Sequence, residues 1–140
     1  NCINRHISRV VRTRMVSATS PWANDPTILE AKTHLVPISH GEGRIIISDE
    51  LAKDLFAKGQ VYTQYVTEEG VPVMSEPDNP NGSMFAIEGI TSLDGRILGK
   101  MGHSERTIGA LVNGKSDSLL KNISGDNCQN LFAAGVRYFN

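Results

Sequence analysis

His103 and Glu105 are the side chains best suited to chemistry in this sequence, two positions apart in Gly95-Arg96-Ile97-Leu98-Gly99-Lys100-Met101-Gly102-His103-Ser104-Glu105-Arg106. Extended backbone sends residues i and i+2 to the same side, so the Glu105 carboxylate is expected to accept a hydrogen bond from one imidazole nitrogen. The other nitrogen then remains for proton exchange with a nucleophile. Such a pair is half a site, because it still needs a cysteine thiol to activate. The chain has two cysteines, Cys2 and Cys128. Cys128 falls on the apolar face of a C-terminal helix, which marks it as core.

Two other stretches could carry chemistry. Gly109-Ala110-Leu111-Val112-Asn113-Gly114-Lys115-Ser116 satisfies the phosphate-loop pattern G-x-x-x-x-G-K-[ST]. Its surroundings are wrong for that role, since a polar segment precedes it and only a short helical pattern follows before Gly125. A nucleotide-binding module is therefore the alternative reading. The four histidines, His6, His34, His40 and His103, are scattered without the spacing that gathers metal ligands, so no metal site is expected. Arg5, Arg9, Arg12 and Arg14 read as exposed charges on a strand.

The positioning elements follow from local pattern. Residues 7–17 are rich in β-branched side chains and free of glycine and proline, which predicts a strand. Residues 20–26 are a turn-rich connection holding the one tryptophan, Trp22, placed either to cover a pocket or to pin the loop. Residues 33–39 are extended, with Pro37 pointing to a sheet edge. The next segment, Ser39-His40-Gly41-Glu42-Gly43-Arg44, is a hairpin turn into a strand Ile45-Ile46-Ile47 or the rim of a binding site. Ser48 caps a helix with Asp49 and Glu50 in its first turn and an apolar stripe of Leu51, Leu55 and Phe56, ending near Gly59. Residues 61–67 form a strand, and Asp94-Gly95 is the turn of a hairpin between residues 85–91 and 96–99. A last helix, capped by Asp126, places Cys128, Leu131, Phe132, Gly135, Val136 and Phe139 on one face.

With 140 residues, 39% hydrophobic and 21% charged, the chain suits one soluble domain. Its net charge of −1 gives no electrostatic reason to expect nucleic acid or an anionic membrane. No apolar run approaches the roughly 20 residues of a membrane helix, and the first residues lack the apolar stretch of a signal peptide. A cytoplasmic setting with both cysteines as free thiols is the expectation.

Taken together, several stretches closely resemble one family. These are Asn4-Arg5-His6, Ser8-Arg9, Ser20-Pro21-Trp22, Ser39-His40-Gly41-Glu42-Gly43-Arg44, Asn79-Pro80-Asn81-Gly82-Ser83, Ile87-Glu88-Gly89-Ile90-Thr91-Ser92, Asp94-Gly95-Arg96 and the segment from Gly99 to Arg106. The chain resembles the C-terminal glutaminase domain of phosphoribosylformylglycinamidine synthase, a triad glutamine amidotransferase, in its large single-chain form. The resemblance implies an α/β fold with a mixed, partly antiparallel sheet and flanking helices, the C-terminal half of a flavodoxin-like class I amidotransferase domain. It also implies glutamine as substrate, with ammonia passed to a synthetase domain that uses ATP and Mg to aminate formylglycinamide ribonucleotide in purine synthesis. No cofactor is implied for this chain itself. By motif position His103 is the acid and base and Glu105 its orienting partner, while Ser39, His40, Gly41 and Glu42 lie beside the glutamine pocket.

One departure bears on activity. The family's nucleophile sits in a Gly-x-Cys-x-Gly elbow, and neither Asn1-Cys2-Ile3 nor Asn127-Cys128-Gln129 has that form. Residues 1–140 are thus expected to be the part of the domain that follows its nucleophile. This piece alone is expected to be inactive and prone to self-association through uncovered sheet edge and apolar surface. Its partners would be the rest of the glutaminase domain and the synthetase domain. A non-catalytic interaction domain is the remaining alternative.

Overall fold

The structure, a computed structural model, describes residues 1–31, 33–106 and 130–140. Five strands, β1 (Ile7–Met15), β2 (His34–His40), β3 (Val61–Tyr65), β4 (Ile87–Thr91) and β5 (Leu98–Lys100), form a sheet in the order β2-β1-β3-β4-β5. Every pairing in it is antiparallel. Among the described residues three helices accompany it: α1 (Pro26–Glu30), α2 (Asp49–Ala57) and α3 (Leu131–Phe139). The fold is thus α/β, with an antiparallel sheet and few flanking helices, as expected. The phosphate-loop-like residues 109–116, the cap Asp126 and Cys128 lie outside the described residues.

Pro37 sits in the outermost strand, where its missing N–H costs no ladder bond. The outer edges of the sheet do not stay apart. Ile38 of β2 bridges Gly102, just past β5, and the His103 N–H donates to the Pro37 carbonyl at 2.8 Å. The sheet is therefore curled, and its two edge strands meet at a seam. Register shifts in the β3–β4 pairing, between Val61 and Thr63 and between Thr63 and Gln64, mark where the ladder bends.

Two apolar clusters flank this sheet. One joins Ile7, Val11, Val36, Ile38, Tyr65 and Ala86; the other joins Ala23, Ile28, Tyr62, Leu131 and Ala134, with Met15, Trp22 and Leu98 packed against it. Tyr62 and Tyr65 lie an odd number of residues apart on β3 and belong to different clusters, as alternation requires. The second cluster is tied down by polar contacts. Ser20 Oγ donates to the Gly95 carbonyl at 2.7 Å, Trp22 Nε1 to the Arg96 carbonyl at 2.9 Å, and the Tyr62 hydroxyl to the Trp22 carbonyl at 3.1 Å. Trp22 thus both pins its loop and borders a cleft.

Three expectations are corrected. Residues 45–47 are not a strand: Ile45 exchanges its backbone bonds with the Ser83 hydroxyl (3.1 Å) and the Met84 N–H (2.9 Å), and Ile46 is 69% exposed. A side-chain acceptor and a single loop amide satisfy this segment, so no ladder propagates. Helix α2 has its Ser48 cap, accepting from the Leu51 N–H at 3.2 Å, but only Ala52 is buried, while Leu51 and Phe56 of the apolar stripe stay 46% and 37% exposed. Phe56 borders a shallow hollow with Gln64, Met74 and Phe85 instead of entering the core.

Helix α3 is rotated from the expected face. Leu131, Ala134 and Gly135 are buried, whereas Phe132, Val136 and Phe139 are 60%, 61% and 73% exposed. The cause is Trp22. A Cβ on Gly135 would lie 2.9 Å from its ring, so only the small side of the helix fits there, and Arg137 fixes the rotation through a 2.5 Å bridge to Asp25. The cap among the described residues is Asn130, whose side chain accepts from the Ala133 N–H at 3.2 Å.

Candidate active site

The seam between β5 and β2 opens into a cleft of about 500 Å³. Its apolar wall is Trp22, Leu98, Leu131 and Phe132, and its polar side carries His40, Lys100, His103, Ser104 and Glu105. An apolar cleft with a few convergent polar groups is the usual form of a small-molecule site.

The dyad forms as expected, though by a different backbone route. His103 Nδ1 and Glu105 Oε1 are 2.7 Å apart. Residues Ser104–Arg106 are a 3-10 turn rather than extended chain, so the turn brings the carboxylate back under the ring. The pairing makes Nδ1 the protonated nitrogen and leaves Nε2 for proton exchange. Partial burial alone would raise the Glu105 carboxyl. The hydrogen bond from His103, a backbone N–H and the nearby His103 and Arg106 cations outweigh it, and the group is held below the ordinary carboxylate value.

The loop carrying the dyad is pinned by buried groups that the sequence reading passed over. Glu88, on β4, is completely buried; one carboxylate oxygen accepts from the Gly102 N–H at 2.5 Å and the other from the Thr63 hydroxyl. Lys100 Nζ lies 3.8 Å from the Glu88 carboxylate and donates to Ser104 Oγ at 2.9 Å. Burial lowers the Lys100 ammonium below its ordinary value, opposed by the Glu88 and Glu105 charges. Gly102 is needed for close approach, because a Cβ there would lie 2.7 and 2.8 Å from the Val36 methyls and 2.9 Å from Glu88. A glutamate in the apolar run Ile87-Glu88-Gly89-Ile90, next to the glycine whose hairpin partner is Lys100, was the signal available for this pair.

Of the residues expected at a substrate pocket, the structure brings only His40 into the cleft with His103 and Glu105. Ser39 Oγ is 3.1 Å from His6 Nε2, and Gly41 and Glu42 line a separate depression with Asn1, Asn4, Arg5 and His6. His40 folds back over Gly43, where a Cβ would be 2.8 Å from its ring. Asn81 Nδ2 lies 3.3 Å from His40 Nε2, 2.8 Å from the Tyr65 hydroxyl and 2.9 Å from Met101 Sδ. Burial, the N-terminal charge and the neighbouring His103 and His6 lower His40 from its ordinary value, against an opposing pull from Glu88. A donor from Asn81 to Nε2 likewise favours the neutral ring.

Cys2 is exposed, against Pro80 and Gly82, and is not among the residues lining the cleft. Among the described residues no group of histidine, cysteine or acidic side chains is placed to hold a metal, and no helix is long and apolar enough to cross a membrane.

An α/β domain with a carboxylate-oriented histidine at the rim of a cleft is the kind of scaffold on which nucleophilic hydrolysis is built. The sequence profile of the CobB/CobQ-like glutamine amidotransferase domain matches residues 1–139, and the chain belongs to that family. Among curated proteins it is 30% identical over 125 residues to the phosphoribosylformylglycinamidine synthase subunit PurQ of Salinibacter ruber, covering 86% of this chain and 52% of that protein. It is 37% identical over 122 residues to the PurQ subunit of Treponema denticola, covering 84% of this chain and 43% of that protein. The chain therefore spans about half the length of these relatives. A solved structure of PurLQS from Thermotoga maritima superposes with a TM-score of 0.63 at 21% identity, over all of this chain and 51% of that one, a likeness of fold.

Proposed function

We propose that this chain supplies the acid/base half of the glutaminase site of a phosphoribosylformylglycinamidine synthase, and that residues 1–140 are the C-terminal part of its glutaminase domain in the large single-chain form. The observation that carries the reading is the 2.7 Å His103–Glu105 pair at the rim of the cleft. The PurQ relatives supply the reaction class.

In this reading a cysteine thiolate from elsewhere in the parent enzyme attacks the side-chain carbonyl carbon of glutamine. His103 Nε2 carries the proton taken from that thiol and gives it to the departing nitrogen, so the C–N bond breaks and ammonia leaves. The same nitrogen then removes a proton from water, which cleaves the thioester to glutamate. Glu105 keeps the imidazole in its reactive tautomer and stabilises the imidazolium. His40 contacts bound glutamine from the opposite rim, with Ser39, Gly41 and Glu42 shaping the approach. Ammonia is consumed by the synthetase domain, where ATP and Mg activate the acceptor.

Neither Cys2 nor Cys128 serves as nucleophile, so the chain alone does not hydrolyse glutamine. Incubating the purified chain with glutamine and measuring glutamate release tests this. No turnover is expected; turnover abolished by Cys2→Ser or Cys128→Ser would overturn it. Sizing of the same sample should show self-association through the exposed apolar residues of α2 and α3, and a strict monomer would argue against the fragment reading.

A further inference from the structure

The dyad requires that His103 be held still, and two charged groups with buried side chains, Glu88 and Lys100, bond the residues either side of it. Glu88 grips the residue before, through the Gly102 N–H at 2.5 Å. Lys100 grips the residue after, through Ser104 Oγ at 2.9 Å. His103 itself is fixed by its N–H on the Pro37 carbonyl at 2.8 Å. Three consecutive residues are thus anchored on β4, β2 and the end of β5.

We propose that Lys100 and Glu88 are positioning residues for the His103–Glu105 dyad, a paired clamp that sets the imidazole against the cleft. The inference rests on the glutaminase reading above. Stability is a poor explanation for the pair. The Lys100 side chain is 8% exposed and Glu88 fully buried, and a buried ion pair commonly gains nothing over apolar residues of the same volume, because desolvation cancels the attraction. Its 3.8 Å separation is also too long for a direct hydrogen bond. What the two groups do make are short bonds to the catalytic loop and to Thr63. Glu88 is anchored from behind by the Thr63 hydroxyl of β3, so the clamp is referred to the centre of the sheet rather than to its edge. Shape points the same way. The glycine at position 102 lets the loop come down onto both the Val36 methyls and the Glu88 carboxylate, leaving no slack in which the loop could shift.

The test uses the intact parent enzyme, with glutamine-driven and ammonia-driven synthesis measured side by side. For Lys100→Met the glutamine-driven kcat should fall about tenfold while KM for glutamine stays within about twofold, because the displaced group is the acid/base and not a substrate contact. The ammonia-driven rate should not change. Ser104→Ala removes the acceptor of the Lys100 hydrogen bond and should show the same pattern at about threefold; it decides the matter if Lys100→Met does not fold. A kcat for Ser104→Ala equal to the parent's, a loss that resides in KM, or an equal loss of the ammonia-driven rate would overturn the clamp. His103→Ala separates the two levels. If it retains glutamine-driven synthesis the glutaminase reading fails, and if it abolishes that rate while Ser104→Ala is unaffected only the clamp fails.

Discussion

Two segments leave opposite edges of the same sheet and arrive at the same cleft, yet they are built in contrasting ways. The one beyond β5 is bonded to three strands within as many residues and carries His103 and Glu105. The one beyond β2, residues 41–48, follows His40, whose side chain meets Asn81 and whose ring rests on Gly43. It then bonds Ile45 to Ser83 and Met84 and leaves Ile46 exposed before the Ser48 cap. Under the proposed function the difference matches the demands placed on each. A proton-transfer group must be held to a few tenths of an ångström, whereas a substrate-contacting segment benefits from some freedom to close on its ligand. Part of this rigidity comes from curling the sheet, since the seam supplies the Pro37 carbonyl of β2 that a flat edge strand would lack.

This contrast can be broken from either side, and the largest effect should come from the rigid segment. Glu105→Gln in the parent enzyme keeps the shape but removes the charge that orients His103; glutamine-driven kcat should fall about a hundredfold, with ammonia-driven synthesis intact. Gly102→Ala comes next. The added methyl has nowhere to go between Val36 and Glu88, so stability should drop by about 1–3 kcal/mol in denaturant titration, and the glutamine-driven rate should fall at least about tenfold. Gly43→Ala, at the looser segment, pushes only on the His40 ring; it should raise KM for glutamine about threefold and leave kcat and melting temperature nearly unchanged.

The smallest effect is electrostatic. His40 binds a proton less readily folded than unfolded, so its contribution to stability is constant above the ordinary histidine value of 6.5 and falls as pH drops below it. Stability measured between about pH 7 and 5 should decline less steeply in His40→Asn than in the parent chain. Glu105 adds to the same acid loss lower down, because its depressed carboxyl contributes stability above the ordinary carboxylate value and loses it as pH falls through the folded one.

How much of this was readable beforehand depended on the range of the interaction. Strands β1 and β3, the Ser48 cap and the Asp94-Gly95 turn depend on neighbours within a few residues, and each lies where the pattern placed it. The His103–Glu105 contact was also legible, although the 3-10 turn that makes it was not. The other failures were long-range. Ile45-Ile46-Ile47 has the composition of a strand but no partner strand among the described residues, where Ser83 and Met84 take its backbone bonds instead. The face that α3 buries is chosen by Trp22, more than a hundred residues away. The seam itself, which brings Pro37 to His103, follows from sheet curvature and not from any local motif. Glu88 and Lys100 were visible as residues, and their meeting follows from the β4–β5 pairing that sets Gly89 opposite Lys100.

The claim that organises the rest is that His103 moves protons for glutamine cleavage. Its most direct test is the ratio of glutamine-driven to ammonia-driven synthesis in the parent enzyme carrying His103→Ala. The account predicts a fall in that ratio of about a thousandfold or more, with the ammonia-driven rate preserved. A ratio equal to that of the unaltered enzyme would contradict it.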